Sequence, residues 1–153
     1  FVTKKIISAL CKIKEGKQKK LFLGNLKAKR DWGHARDYCL AMWKILQQKK
    51  PDDYVIATGK QYSIRQFINF VAKKLNMKIA WKGKGLNETG IDVLNKKKII
   101  LVDKNYIRPL DVNTLLGNAA KARRELKWKP QINIHLLIDE MITEEMNILS
   151  NDQ

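Results

Sequence analysis

Many activities need parts that this sequence scarcely has. Its 153 residues include two histidines, two cysteines and three prolines. His34 and His135 are too far apart for a His-Glu-x-x-His zinc site. Cys11 and Cys39 stand alone with no Cys-x-x-Cys pair, so no metal-ligand cluster surrounds them. Isolated cysteines within helical patterns point to a reduced setting, and a cytoplasmic location is the expectation. Long apolar runs are also missing. The longest, such as Ile99-Ile100-Leu101-Val102, fall far short of the roughly 20 residues that span a bilayer, so no membrane crossing is expected. Lys4, Lys5, Lys12 and Lys14 interrupt the apolar stretch that a signal peptide needs. No glycine-rich turn follows a strand, no Gly-Lys-Ser or Gly-Lys-Thr phosphate loop is present, and no Ser-His-Asp order stands out. The chain begins at Phe1 rather than Met, from which a missing start is expected.

What is abundant is lysine. Formal net charge is +16, and of 31 basic residues 25 are Lys and 6 are Arg. Clustered cations neutralise phosphates, but specific recognition of phosphate or base tends to recruit the planar arginine fork. The excess reads as solvated lysine spread over many surfaces, and nucleic acid is not the expected partner. A hydrophobic share of 44% supplies a core for one domain.

Periodicity places the elements. Val2, Ile6, Leu10 and Ile13 form a helical stripe that Gly16 can end. Leu21-Phe22-Leu23 reads as a strand, and 24–33 as a polar loop. A helix over about 34–48 uses Tyr38, Met42, Ile45 and Leu46, and Pro51 stops it. Tyr54-Val55-Ile56-Ala57 reads as a buried strand. Ser63 and Gln66 have capping-box spacing, with Tyr62 and Phe67 placed as a staple, and the helix that follows carries Ile64, Phe67, Ile68, Val71 and Leu75. Ile79-Ala80-Trp81 and 99–102 are strands separated by a loop over 82–98. Asn118 and Asn133 can cap two last helices, the second with a core face of Leu137, Ile138, Met141, Ile142 and Ile148. Alternating helices and short strands indicate an α/β arrangement.

Several blocks resemble one family in order and spacing. They are Phe1-Val2-Thr3-Lys4-Lys5-Ile6, Leu23-Gly24-Asn25-Leu26, and Lys29-Arg30-Asp31-Trp32-Gly33-His34-Ala35-Arg36-Asp37-Tyr38, followed by Tyr54 to Gly59, Glu88-Thr89-Gly90, Tyr106-Ile107-Arg108-Pro109, Leu115-Leu116-Gly117 and Trp128-Lys129-Pro130. They are similar to the GDP-mannose 4,6-dehydratases, which are extended short-chain dehydrogenases. The block from Lys29 to Tyr38 is the most specific. The resemblance implies a lyase converting GDP-mannose to GDP-4-keto-6-deoxymannose with bound NADP, in deoxyhexose synthesis. It implies substrate-facing roles for Lys5, Asn25, Arg30, Arg108 and Asp111, with Pro109 setting the backbone beside Arg108. Such enzymes usually carry Glu where Asp111 stands and an acidic residue where Lys27 stands.

The family's Thr, Glu, Tyr and Lys catalysts are expected upstream of Phe1. No Tyr-x-x-x-Lys pair occurs here, because Met42, Thr58, Gln66 and Leu110 stand four places after the four tyrosines. The expected fold is therefore a C-terminal substrate-binding lobe, with one helix and strand that complete a Rossmann sheet whose N-terminal part is missing. Residues 1–31 and 59–153 would form the lobe, and 32–58 would return to the sheet. Taken alone, the chain is expected to hold no cofactor and to be inactive. Its expected partners are GDP-mannose and either further copies of itself or a missing Rossmann half. The rival readings are a basic polyanion-binding module and one subunit of a split nucleotide-sugar dehydratase or epimerase. Asp31 has two readings, a cap for the helix near His34 or a site residue. Trp32, Trp43 and His34 read as structural.

Overall fold

The computed structural model describes residues 1–108 and 110–151, so the role expected of Pro109 lies outside the described residues. Helix α1 (Val2–Lys14) turns its stripe inward, burying Ile6 and Leu10, and ends where Gly16 takes a φ of +71°. Strand β1 (Leu21–Leu23) runs on to β2 (Lys29–Arg30) and to α2 (Ala35–Leu46). A short β3 (Tyr62–Ser63) pairs antiparallel with β2 and leads into α3 (Ile64–Lys74). The predicted capping box is present: Ser63 accepts from Gln66 N, and the Gln66 side chain accepts from Ser63 N. Tyr62 packs edge-on against Phe70, while Phe67 meets Trp32.

Next come β4 (Ile79–Lys82), β5 (Thr89–Asp92), β6 (Lys97–Val102), α4 (Ala120–Glu125) and α5 (Ile134–Asn151). One sheet has the order β1-β6-β5-β4, with β1 parallel to β6 and the other pairs antiparallel. Strand β5 lies inside the stretch 82–98 expected to be a loop. Its Thr-Gly-Ile-Asp sequence has no apolar alternation, because Gly90 is a packing position: a Cβ there would come within about 3.0–3.1 Å of Ile100 and Ile79. Helices α1, α3 and α5 pack together over the core that holds Ile6, Ile7, Leu10, Phe67, Ile68, Val71, Ile100 and Ile138.

A second, smaller cluster joins Ala41 of α2 to Ala57, Ala119, Ala122, Leu126 and Trp128. Several expectations are corrected, there and on α5. Tyr54–Ala57 pairs with no strand among the described residues, since an extended segment becomes a strand only beside a partner. Its Tyr54, Ile56 and Ala57 pack instead against α2 and α4, and Val55 is exposed. On α2 the buried face is Ala41 with Tyr38 and Ile45, while Met42 and Leu46 are exposed. Trp43, expected to pack, is 59% exposed. On α5 the stripe closes on buried Leu149 rather than on Ile148. Asn133 caps α5 as expected, accepting from His135 N at 2.9 Å, whereas the N-cap of α4 is Ala119 and Asn118, one residue ahead of it, accepts from Ala120 N at 3.0 Å.

Candidate functional site

The parallel pair β1 and β6 delivers two loops to the same end of the sheet. Leu23 O accepts from Asp103 N at 2.8 Å, and the Asp103 carboxylate accepts from Asn105 N, starting a 3-10 turn over Lys104–Tyr106. The Tyr106 carbonyl then seats directly on Gly24, where any Cβ would overlap it. Lower down, Lys29 N donates to Asn113 O at 2.8 Å and Leu115 N donates to Lys29 O at 3.2 Å. The loop 24–31 is thereby laced to the loop 103–115.

Side chains complete the lacing. Arg30 Nη2 donates to Asp111 Oδ1 at 2.6 Å, while Nη1 donates to the carbonyls of Val112 at 2.7 Å and Lys29 at 2.8 Å. Asn25 Nδ2 donates to Asn113 Oδ1 at 3.3 Å, and Asn25 Oδ1 accepts from Lys27 N. Arg108 is exposed, and its carbonyl accepts from Asp111 N at 3.1 Å, closing a turn. Lys5 comes over from α1 with its ammonium 3.4 Å above the centroid of the Tyr106 ring. Lys5 and Tyr106 line a surface cavity of about 330 Å³ together with Gln18, Lys20 and Phe22.

Of the five residues singled out in the sequence, Asn25, Arg30 and Asp111 thus share one hydrogen-bonded patch. Arg108 sits on the turn that carries Asp111, and Lys5 touches the segment just before Arg108. The Asp111 carboxylate goes to Arg30, 81 positions away, and not to Arg108 on its own turn. Sequence reasoning passed over Asn113 and the ring of Tyr106. Asn113 carries no periodic or motif signal, whereas Tyr106 stands within a recognised block. Three cationic side chains, a carboxylate and two amides around one loop junction suit a ligand with both anionic and hydroxyl groups.

The specific block from Lys29 to Tyr38 proves to be mostly architecture. Asp31 caps no helix: it accepts from Thr58 N at 3.1 Å, from the Thr58 hydroxyl, and from Gly59 N at 2.9 Å. His34 caps α2 instead, its Nδ1 accepting from Arg36 N at 3.1 Å. That leaves the proton on Nε2, which faces Glu140 at 3.2 Å, so His34 is the satisfied structural histidine expected. Buried Asp37 accepts from Gln131 N and Ile132 N, both at 3.0 Å, while its carbonyl accepts from the Trp128 indole at 2.8 Å. Burial first, and then the charges of Asp31 and Asp37, push the Tyr38 phenol above its ordinary value. Arg30 is the member of the block whose side chain reaches the loop junction, beside the backbone of Lys29.

Four of the glycines offer no seat for a dinucleotide pyrophosphate. Such a group rests on open backbone where a glycine-rich turn enters a helix. Gly33, just ahead of α2, is covered by Tyr38 and Thr58. Gly24 is covered by Tyr106, Gly59 by Arg123 and Gly117 by Ala57.

Comparison with known proteins matches residues 1–141 to the family model described as GDP-mannose 4,6 dehydratase. The chain is 46% identical over 149 residues to the GDP-mannose 4,6-dehydratase of Sinorhizobium fredii (strain HH103), covering 97% of this chain and 42% of that protein. It is 45% identical over 154 residues to GDP-mannose 4,6 dehydratase 2 of Caenorhabditis elegans, covering 99% and 40%. The chain therefore spans about two fifths of the length of these curated relatives. Among solved structures it resembles RMD from Pseudomonas aeruginosa complexed with NADPH, with a TM-score of 0.75 at 19% identity over 97% of this chain and 43% of that one. It also resembles UDP-glucose 4-epimerase from Bifidobacterium longum in complex with NAD+ and UDP, at 0.69 and 16% over 96% and 39%. At such identities the likeness shows the fold alone.

Proposed function

The chain belongs to the GDP-mannose 4,6-dehydratase family, and from that premise we propose that it is the part that grips the GDP-sugar for conversion to GDP-4-keto-6-deoxymannose. The observation that carries this reading is the laced junction of loops 24–31 and 103–115, with Arg30 bonded to Asp111, Asn25 bonded to Asn113 and Arg108 on the adjoining turn. A nucleoside diphosphate sugar offers two phosphates that call for convergent cations, and a ribose diol that calls for a carboxylate or amide acceptor.

In this reading Arg108 and Lys5 meet the diphosphate. Arg30 is braced by two backbone carbonyls, so its fork is oriented before a ligand arrives. Asp111 accepts a ribose hydroxyl. The hydride carrier in the complete enzyme is NADP, and this sequence holds no Gly-x-Gly-x-x-Gly fingerprint to cradle it. Cofactor and proton-transfer residues therefore belong to an N-terminal Rossmann half, supplied within a longer chain or by a second polypeptide.

Calorimetric titration of the chain with GDP-mannose tests the grip, and absence of binding sinks the reading. Adding a family N-terminal half with NADP should restore formation of the 4-keto-6-deoxy product. Turnover by this chain alone would overturn the division of labour.

A further inference from the structure

The Lys5 ammonium lies over the face of the Tyr106 ring, 3.4 Å from its centroid. Lysine is a flexible point charge on a four-carbon stem, and an unpartnered one samples many rotamers. Here the ring face attracts it through the aromatic quadrupole. The ring is itself well placed for this. It ends the 3-10 turn after β6, whose backbone is held by the Asp103–Leu23 hydrogen bond, by the Asp103 cap on Asn105 and by the seat of its own carbonyl on Gly24. Tyr106 is also 53% exposed, so it adds little to the core, and among the described residues its hydroxyl makes no hydrogen bond. What the side chain offers is the face of its ring.

Arg108 follows two positions later on the same segment. A ring that fixes Lys5 against this segment also fixes the spacing between two cations that come from distant parts of the chain. We infer that Tyr106 is a positioning residue, which holds the Lys5 ammonium beside the Arg108 turn so that both cations are presented together to a diphosphate. This rests on the reading of Lys5 and Arg108 as substrate ligands.

Two measurements on the full chain test it. In NMR spectra the Lys5 ε-methylene protons should be shifted upfield by the ring current. Tyr106→Phe should keep that shift and Tyr106→Leu should abolish it, with melting temperatures alike. In calorimetry, Tyr106→Leu should weaken GDP-mannose binding about two- to fivefold, the scale of one exposed cation–π contact, while Tyr106→Phe leaves it unchanged. In a Lys5→Met background, Tyr106→Leu should have no further effect. An unshifted Lys5 signal, or an equal loss from Tyr106→Leu with and without Lys5, overturns the inference. If Lys5→Met leaves affinity unchanged, Lys5 is no ligand and the inference falls with it. If the unsubstituted chain binds no GDP-mannose, the functional reading fails first.

Discussion

Arg30 and Asp111 stand 81 positions apart and meet through Nη2 and Oδ1 at 2.6 Å, with both side chains about a quarter exposed. The pair ties the end of β2 to the loop after β6, and it puts a cation and a carboxylate side by side at the proposed sugar nucleotide site.

Replacing Asp111 separates its two roles. Asp111→Asn should cost about 1 kcal/mol or less in urea denaturation, because Arg30 keeps its two carbonyl partners. It should nevertheless weaken GDP-mannose binding on the order of tenfold, as a charged acceptor for a hydroxyl is lost. Asp111→Glu, which restores the residue usual in the resembled family, should bind at least as tightly as the original. Equal affinity in all three proteins would remove Asp111 from the site.

Arg108 is expected to be the main diphosphate ligand. Arg108→Ala should lower GDP-mannose affinity on the order of ten- to a hundredfold. Arg108→Lys should also lose affinity, since it keeps the charge but not the planar fork. Titration calorimetry decides this, and unchanged affinity in both variants excludes Arg108.

Asp37 should matter for stability and not for binding. Its buried carboxylate holds the backbone of Gln131 and Ile132 against α2. Asp37→Ala would leave those N–H groups without their acceptor and should cost about 2 to 4 kcal/mol in chemical denaturation. GDP-mannose affinity of the folded protein should stay within twofold, roughly.

Glu145 sets an acid limit. Burial alone would raise its carboxyl, but hydrogen bonds from Lys4 and Ser8 and the charges of Lys4 and Lys12 hold it below the ordinary value of 4.5. A depressed folded value means that the stabilisation is present above the unfolded value and lost as pH falls through the folded one. Denaturation midpoints should therefore fall below about pH 4.5 more steeply for the parent chain than for Glu145→Gln. Parallel profiles would show that Glu145 carries no such linkage.

Exposed Met42, Trp43 and Leu46 on α2, together with exposed Val55 elsewhere on the surface, should make the isolated chain self-associate. Sedimentation velocity should show concentration-dependent species that disappear in a Met42→Lys/Leu46→Lys variant with unchanged melting. A monodisperse parent chain would count against this.

Much of the fold was written locally. Helices α1 and α3 follow from apolar residues recurring at three and four positions, and their ends from Gly16 and from Ser63 with Gln66. A helix turn reads only its neighbours, so these signals are complete within a few residues. Family membership was equally legible, because it rests on residue identities in order. Strand β5 was not, since Gly90 is small to admit Ile100 and Ile79 from neighbouring strands, and no local pattern records that. Nor could periodicity tell which face of α2 is buried, when both Ala41 and Leu46 suit a helix and only the surface beside them differs.

At the candidate site the sequence determined which side chains were available: Lys5, Asn25, Arg30, Arg108 and Asp111, with the charges and hydrogen-bonding groups that suit a sugar nucleotide. Tertiary structure decided who meets whom. It gave Asp111 to Arg30 rather than Arg108, Asp31 to Thr58 and Gly59, and Lys5 to Tyr106. Those partners lie tens of residues or more apart in the chain. The loops after β1 and β6 are brought together by the parallel pairing of those strands, and Asp31 is brought to Thr58 and Gly59 beside the antiparallel β2–β3 pair; neither pairing exists until the intervening chain has folded.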